Sequence, residues 1–207
     1  MKLLLRLCAF ALIFTLAFSY SHADFSTMTF EQESGTYTEL SDGDMLSGSG
    51  TADDDSWSVN IGFNFTFNGS TYSSVNVNSN GFIHFEANGG SDYVSNMFSD
   101  GDISNAIAGM NHDLRAYSSS AGIYTDVLGS SPNRIFVVEW NTYSSYGDSG
   151  EEINFQIRLY EASGNVEIVY GDCSFEDDHD ARVGLKGSDS PLEYSNREVT
   201  EGDNTWA

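Results

Sequence analysis

The chain has 207 residues, with 31 Asp and Glu against 8 Lys and Arg, for a formal net charge of −23. That surplus of carboxylates excludes nucleic acid and anionic membrane surfaces as partners, because both are held by Lys and Arg. It favours solubility, cation binding or a salty medium, and the length suits one domain with a core of its own.

Met1-Lys2 and Arg6 form a positive start, Leu7 to Phe18 an apolar run, and Ser21-His22-Ala23 a cleavage site with small residues at −3 and −1. This predicts an export signal over residues 1–23 and a mature N-terminus at Asp24. The run is short for a membrane crossing and no second one follows, so no membrane span is expected after cleavage. Cys8 follows Leu7 and sits too early for a lipid anchor. The signal carries Lys2 and Arg6 and no acid, so its removal takes the net charge from −23 to −25. Cys173 would then be the remaining cysteine, which leaves no intrachain disulfide.

Residues 24–56 read as an acidic N-terminal segment of the domain and 57–207 as its body. Trp57, Val59, Ile61, Phe63, Phe65 and Phe67 alternate with Ser58, Asn60, Gly62, Asn64 and Thr66, the period of a strand with one buried face. Asn68-Gly69 supplies turn chemistry, Val75 and Val77 resume the alternation, and Asn80-Gly81 turns the chain into Phe82 to Phe85. Tyr72 is out of phase with Val75, which predicts a strand starting after Tyr72 or a bulge. The glycosylation sequons Asn64-Phe65-Thr66 and Asn68-Gly69-Ser70 read as polar-face and turn residues.

Ile103 to Met110 is the one helical candidate, with Asp102 or Ser104 as N-cap. Gly122 to Val127 and Arg134 to Trp140 read as a hairpin around Gly129 to Asn133. A second hairpin joins the alternating Ile153, Phe155, Ile157 and Leu159 to Val166 to Tyr170 through Ser163-Gly164-Asn165. Arg182 to Lys186 reads as the last short strand. The expected fold is all-β, an antiparallel jelly-roll-like β-sandwich forming one domain after the signal peptide.

Several stretches carry a family pattern. They are the run IGFNFTFNGSTYSSVNVNSNGFIHF, then Ile107 to Leu114, Arg134-Ile135-Phe136-Val137-Val138-Glu139-Trp140, Phe155-Gln156-Ile157-Arg158-Leu159-Tyr160-Glu161, and Val183-Gly184-Leu185-Lys186-Gly187. In this order they resemble a β-sandwich module of large bacterial exported and surface proteins, related to the nidogen-like extracellular domain. The resemblance covers roughly residues 57 to 206. AIAGMNHDL lacks the aromatic usual in that family's middle segment, and Asp113 alone keeps its acidic position.

Calcium takes six to eight oxygen ligands from carboxylates and carbonyls in flexible loops. The candidate ligands are Asp53, Asp54 and Asp55 with Asp42 and Asp44, or Asp177, Asp178 and Asp180; none has the EF-hand spacing. The alternative is a solvated acidic loop. His84, among apolar neighbours, reads as a strand residue on the polar face. Trp57 and Trp140 fall in phase with core positions, while Tyr143 and Tyr146, after Trp140, are the candidate exposed aromatic contacts. Gly147-Asp148-Ser149-Gly150 spells a serine-protease tetrapeptide without the histidine segment that chemistry needs.

The Ser, Thr and Asn positions of residues 66 to 85 alternate with core positions, so they form mainly a solvated face, uncharged and able to suit a carbohydrate or a partner sheet. The expected function, resting on the resemblance, is secreted and non-catalytic: adhesion to carbohydrate or a surface protein at the cell surface. The rivals are a structural spacer or matrix domain without a specific ligand, and a secreted hydrolase using carboxylates as acid and base.

Overall fold

A computed structural model describes residues 31–46, 52–86, 93–174 and 181–187 in full and 194–199 as backbone. Among these residues there are twelve strands and no helix: β1 (Asp44–Met45), β2 (Ser56–Phe67), β3 (Ser70–Asn78), β4 (Phe82–His84), β5 (Ala106–Asn111), β6 (Leu114–Arg115), β7 (Gly122–Leu128), β8 (Ile135–Ser145), β9 (Ile153–Tyr160), β10 (Val166–Tyr170), β11 (Ala181–Lys186) and β12 (Tyr194–Val199). They form two antiparallel sheets, β1-β7-β8-β9-β10 with β6 alongside β8, and β12-β11-β5-β4-β3-β2.

The sheets face each other across one core, as a β-sandwich does. Ile61, Phe63, Phe65 and Phe67 of β2 and Val75 and Val77 of β3 meet Phe136, Val138 and Trp140 of β8 and Phe155 and Ile157 of β9. Trp140 lies across the ladder from Phe155, their rings stacked with centroids 4.6 Å apart. Gly109 makes the close approach between the sheets possible, because a Cβ there would stand 2.5 Å from the Phe155 ring.

The alternation in β2 is observed as read, with an exposed residue before every inward one. The phase break at Tyr72 lies within β3, where Ser73 and Ser74 are both exposed, and coincides with a bulge at which the pairing of β2 with β3 shifts between Asn60 and Phe65. Gly62 sits in that bulge at φ +84°, its N–H donating to Asn60 Oδ1 at 2.7 Å. The first hairpin turn uses left-handed φ at Asn68 (47°) and Gly69 (74°).

Three features depart from the sequence reading. The helical candidate, Ile103 to Met110, is instead the approach to β5 followed by most of β5 itself, an interior strand buried on both faces. Its outward residues Ala106 and Ala108 join Phe82 under Val94, Met97 and Ile103 of the segment 93–105. A strand covered on both sides has no reason to alternate, so its apolar run carries no period-two signal. Next, β8 runs on to Ser145, and β12 follows the strand read as the last one. Finally, His84 is 3% exposed rather than on a solvated face, because its side of the sheet, shared with Phe82, is covered.

The N-terminal segment packs on the sandwich. Glu139, on the outward side of β8, is fully buried, and it accepts hydrogen bonds from Tyr37 Oη (2.7 Å), Leu40 N (3.0 Å) and Gln156 Nε2 (2.7 Å). Gln156 Nε2 also donates to Thr38 O at 2.8 Å. Residues 36–46 thus form a strap whose backbone satisfies polar groups that the sheet buries.

Candidate functional site

One end of the sandwich gathers the loops that carry the sequence pattern: 52–55 before β2, the turn 79–81, the β5–β6 connection at 112–113, and the end of β8. Gly81 fixes the turn. It has φ +79°, an added Cβ would stand 1.9 Å from Met110 O, and its own carbonyl accepts Gly109 N (3.0 Å) and Met110 N (3.1 Å). Only glycine meets both demands.

Asn80 then ties the loops together. Its Oδ1 accepts Leu114 N at 2.7 Å, its Nδ2 donates to Asp54 Oδ1 at 3.0 Å, and its carbonyl accepts Asn111 Nδ2 at 2.9 Å. Ser79 and Asp55 exchange two further bonds, Asp55 N to Ser79 Oγ at 3.0 Å and Ser79 N to Asp55 O at 2.9 Å. Asp54 takes left-handed φ (52°), and Asp53 bridges to Arg115.

These constraints bring Asp53, Asp54 and Asp113 together, with a carboxylate oxygen of each within 4.8 Å of the others. Arg115 Nη1 lies 3.4 Å from Asp53 Oδ2, and its guanidinium stands over the rings of Tyr117 (5.3 Å) and Tyr146 (5.7 Å). Gly147 N donates to Tyr117 Oη at 2.6 Å, which joins the two aromatic loops, and Tyr146 N donates to Asp113 O at 2.8 Å. Burial raises the carboxyl pKa of Asp113, helped by the charges of Asp54 and Asp53. Burial also raises that of Asp53, against the opposing pull of Arg115 and with repulsion from Asp54 and Asp55.

Among the described residues Asp53 Oδ1 is a buried oxygen with no hydrogen-bond partner. Clustered, partly desolvated carboxylates with one guanidinium beside them can accept a hard cation, a cationic group or hydroxyl donors, with two tyrosine rings as a flanking contact surface.

Of the acids read from sequence, Asp53 and Asp54 enter this group, while Asp55 is exposed and engages Ser79. Asp42 and Asp44 do not enter it: Asp44 pairs with Thr125 at the edge of the other sheet, and Asp42 precedes it. Asp177, Asp178 and Asp180 lie outside the described residues. Asp113 was missed as a ligand, although its place in the pattern was a signal.

Tyr146 is 55% exposed, whereas Tyr143 is fully buried, which overturns its reading as an exposed contact. The pairing of β8 with β9 shifts between Trp140 and Tyr143, and Thr142 holds φ 54°. That extra residue reverses the phase and turns Tyr143 into the core behind Trp140. Tyr117 escaped notice because an isolated tyrosine among serines has no pattern. Ser149 is exposed, and its neighbours make an Asx turn, Gly150 N to Asp148 Oδ1 at 3.3 Å.

A sequence-family profile described as NIDO related matches residues 27–205. Searches of curated proteins and of solved structures each returned no match.

Proposed function

Because the chain belongs to the family of NIDO-related domains, which are generally extracellular, we propose that it is a non-catalytic recognition module, exported and acting in adhesion at the cell surface. Its ligand is a carbohydrate or a surface protein. The contact surface is the loop end that carries Tyr117, Tyr146 and the carboxylates of Asp53, Asp54 and Asp113.

The observation that supports this reading is the convergence itself. The asparagine turn and the acidic segment that define the sequence pattern are hydrogen bonded to each other, and they place two exposed tyrosines beside three partly desolvated carboxylates. Tyrosines offer rigid, amphipathic contact area at low entropic cost. The test is a glycan array and a surface-protein array probed with the wild-type chain and with Tyr146→Ala. A signal that the variant loses supports the reading; wild-type silence on both arrays refutes it.

A second reading, calcium held by Asp53, Asp54 and Asp113, is favoured by the buried, unpartnered Asp53 Oδ1. Bound calcium would neutralise the mutual repulsion of these acids and fix the loops that present the tyrosines.

A further inference from the structure

β2 is the edge of its sheet, with β3 as its one neighbour among the described residues. A free edge exposes a row of backbone donors and acceptors, and proteins usually blunt it with charge, brevity or a bulge. The other edges here follow that rule: β1 is two residues long, β10 carries Glu167 paired with Arg158 at 3.2 Å, and β12 has Arg197 and Glu198 in its sequence. β2 has twelve residues, SWSVNIGFNFTF, and neither it nor β3 bears a charged side chain. On a chain of net charge −23 such a neutral face is a place where a second copy can approach with little repulsion.

The bulge splits this edge into two unequal parts. At Gly62 the N–H is taken by Asn60 Oδ1 and the carbonyl by Arg134 Nη1 at 2.6 Å, so the middle of the strand is capped. Beyond it, Phe63, Phe65 and Phe67 are buried. Before it, the inward residues Trp57 and Val59 are only half-buried, although they pack against the core. Ser56 to Asn60 therefore combines an uncharged outer face and two incompletely covered apolar side chains, at the edge of the sheet.

We infer that Ser56 to Asn60 of β2 pairs antiparallel with the same segment of a second copy, about a twofold axis at Ser58. That register is the one in which the half-covered residues meet, Trp57 opposite Val59 of the other copy and the reverse. An aromatic and a β-branched side chain form a favourable cross-strand pair. Ser56 faces Asn60, and Ser58 faces itself. The interface is isologous, so it closes at a dimer and joins two sheets into one without propagating. It is short, so association is weak and concentration-dependent.

Sedimentation of the full chain over a concentration series is expected to show monomer at low and dimer at high concentration. Ser58 is exposed, so Ser58→Asp and Ser58→Lys leave the fold intact, which melting curves verify. Each variant alone places like charges across the axis and stays monomeric, whereas an equimolar mixture of the two recovers the dimer. In a Cys8→Ser, Cys173→Ser background, Ser58→Cys cross-links to itself under mild oxidation and Ser73→Cys does not. A wild-type chain that remains monomeric at the highest concentration overturns the inference. So does a dimer that Ser58→Asp and Ser58→Lys leave unchanged.

Discussion

Asn80 and Asp54 join the asparagine turn of the sequence pattern to the acidic loop: Asn80 Nδ2 donates to Asp54 Oδ1 at 3.0 Å while Asn80 Oδ1 accepts Leu114 N at 2.7 Å. One buried amide thus holds both walls of the candidate site. Asn80→Ala leaves Leu114 N without its acceptor, which costs about 1–3 kcal/mol. A melting temperature lower by roughly 3–10 °C is expected for a domain of this size. Differential scanning calorimetry checks it; an unchanged transition would mean that the turn stands without this amide.

Gly81→Ala is the most damaging single substitution expected near the site. It combines φ +79° with a Cβ placed 1.9 Å from Met110 O, a backbone contact that no rotamer relieves. A loss of at least about 3 kcal/mol follows from strain and overpacking together. Urea unfolding, compared with the open turn variant Gly164→Ala, separates the clash from the φ penalty: Gly164 shares positive φ (70°) but has nothing within 4 Å of an added Cβ.

Asp113 is expected to cost the apo fold stability at neutral pH. Its raised pKa, caused first by burial and then by Asp54 and Asp53, means that the folded chain holds the proton more tightly than the unfolded one. The linkage therefore favours the fold as pH falls through the carboxyl range and penalises it above that range. Asp113→Asn should raise the melting temperature at pH 7 in chelator and flatten the acid-side gain. If calcium occupies the group, millimolar calcium at matched high ionic strength raises the wild-type transition and leaves that of the variant nearly unmoved. Coincident wild-type curves in chelator and calcium would reduce the group to a solvated acidic loop.

His84 has the opposite sign. Burial lowers its pKa, only partly offset by Glu86, so between the folded and the unfolded value, about 6.5, the unfolded chain binds more protons. Stability present above about pH 6.5 is lost as the pH falls below it. His84→Asn should remove that slope below about pH 6.5. At still lower pH the Glu161 carboxylate, drawn down to about 2 by its hydrogen bonds from Arg134, contributes a second loss that both chains share. A slope unchanged in the variant would place the titration elsewhere.

The sequence made the sandwich legible wherever a strand has one wet and one dry face, as in β2, where every second residue from Trp57 to Phe67 turns inward. It failed where that asymmetry is absent. β5 is covered on both sides, so its Ala and Met residues imitate a helix. In β8 one inserted residue at Thr142 reverses the phase, and Tyr143 enters the core while Tyr146 stays out. The acidic loop was half legible: Asp53 and Asp54 are neighbours in sequence, but Asp113 joins them only through the turn at Asn80 and Gly81, a long-range relation with no local pattern.

Recognition of the ligand by the loop end can be followed residue by residue by titrating the strongest array ligand into isotopically labelled protein and reading the backbone amide shifts. Saturable shifts confined to Asp53 to Asp55, Asn80, Asp113 to Tyr117 and Tyr146 are expected, lost in the Tyr117→Ala, Tyr146→Ala double variant while its melting temperature holds. Shifts centred on the strap at Tyr37 to Leu40 or on the β2–β3 face, with the loop end silent, would contradict recognition there.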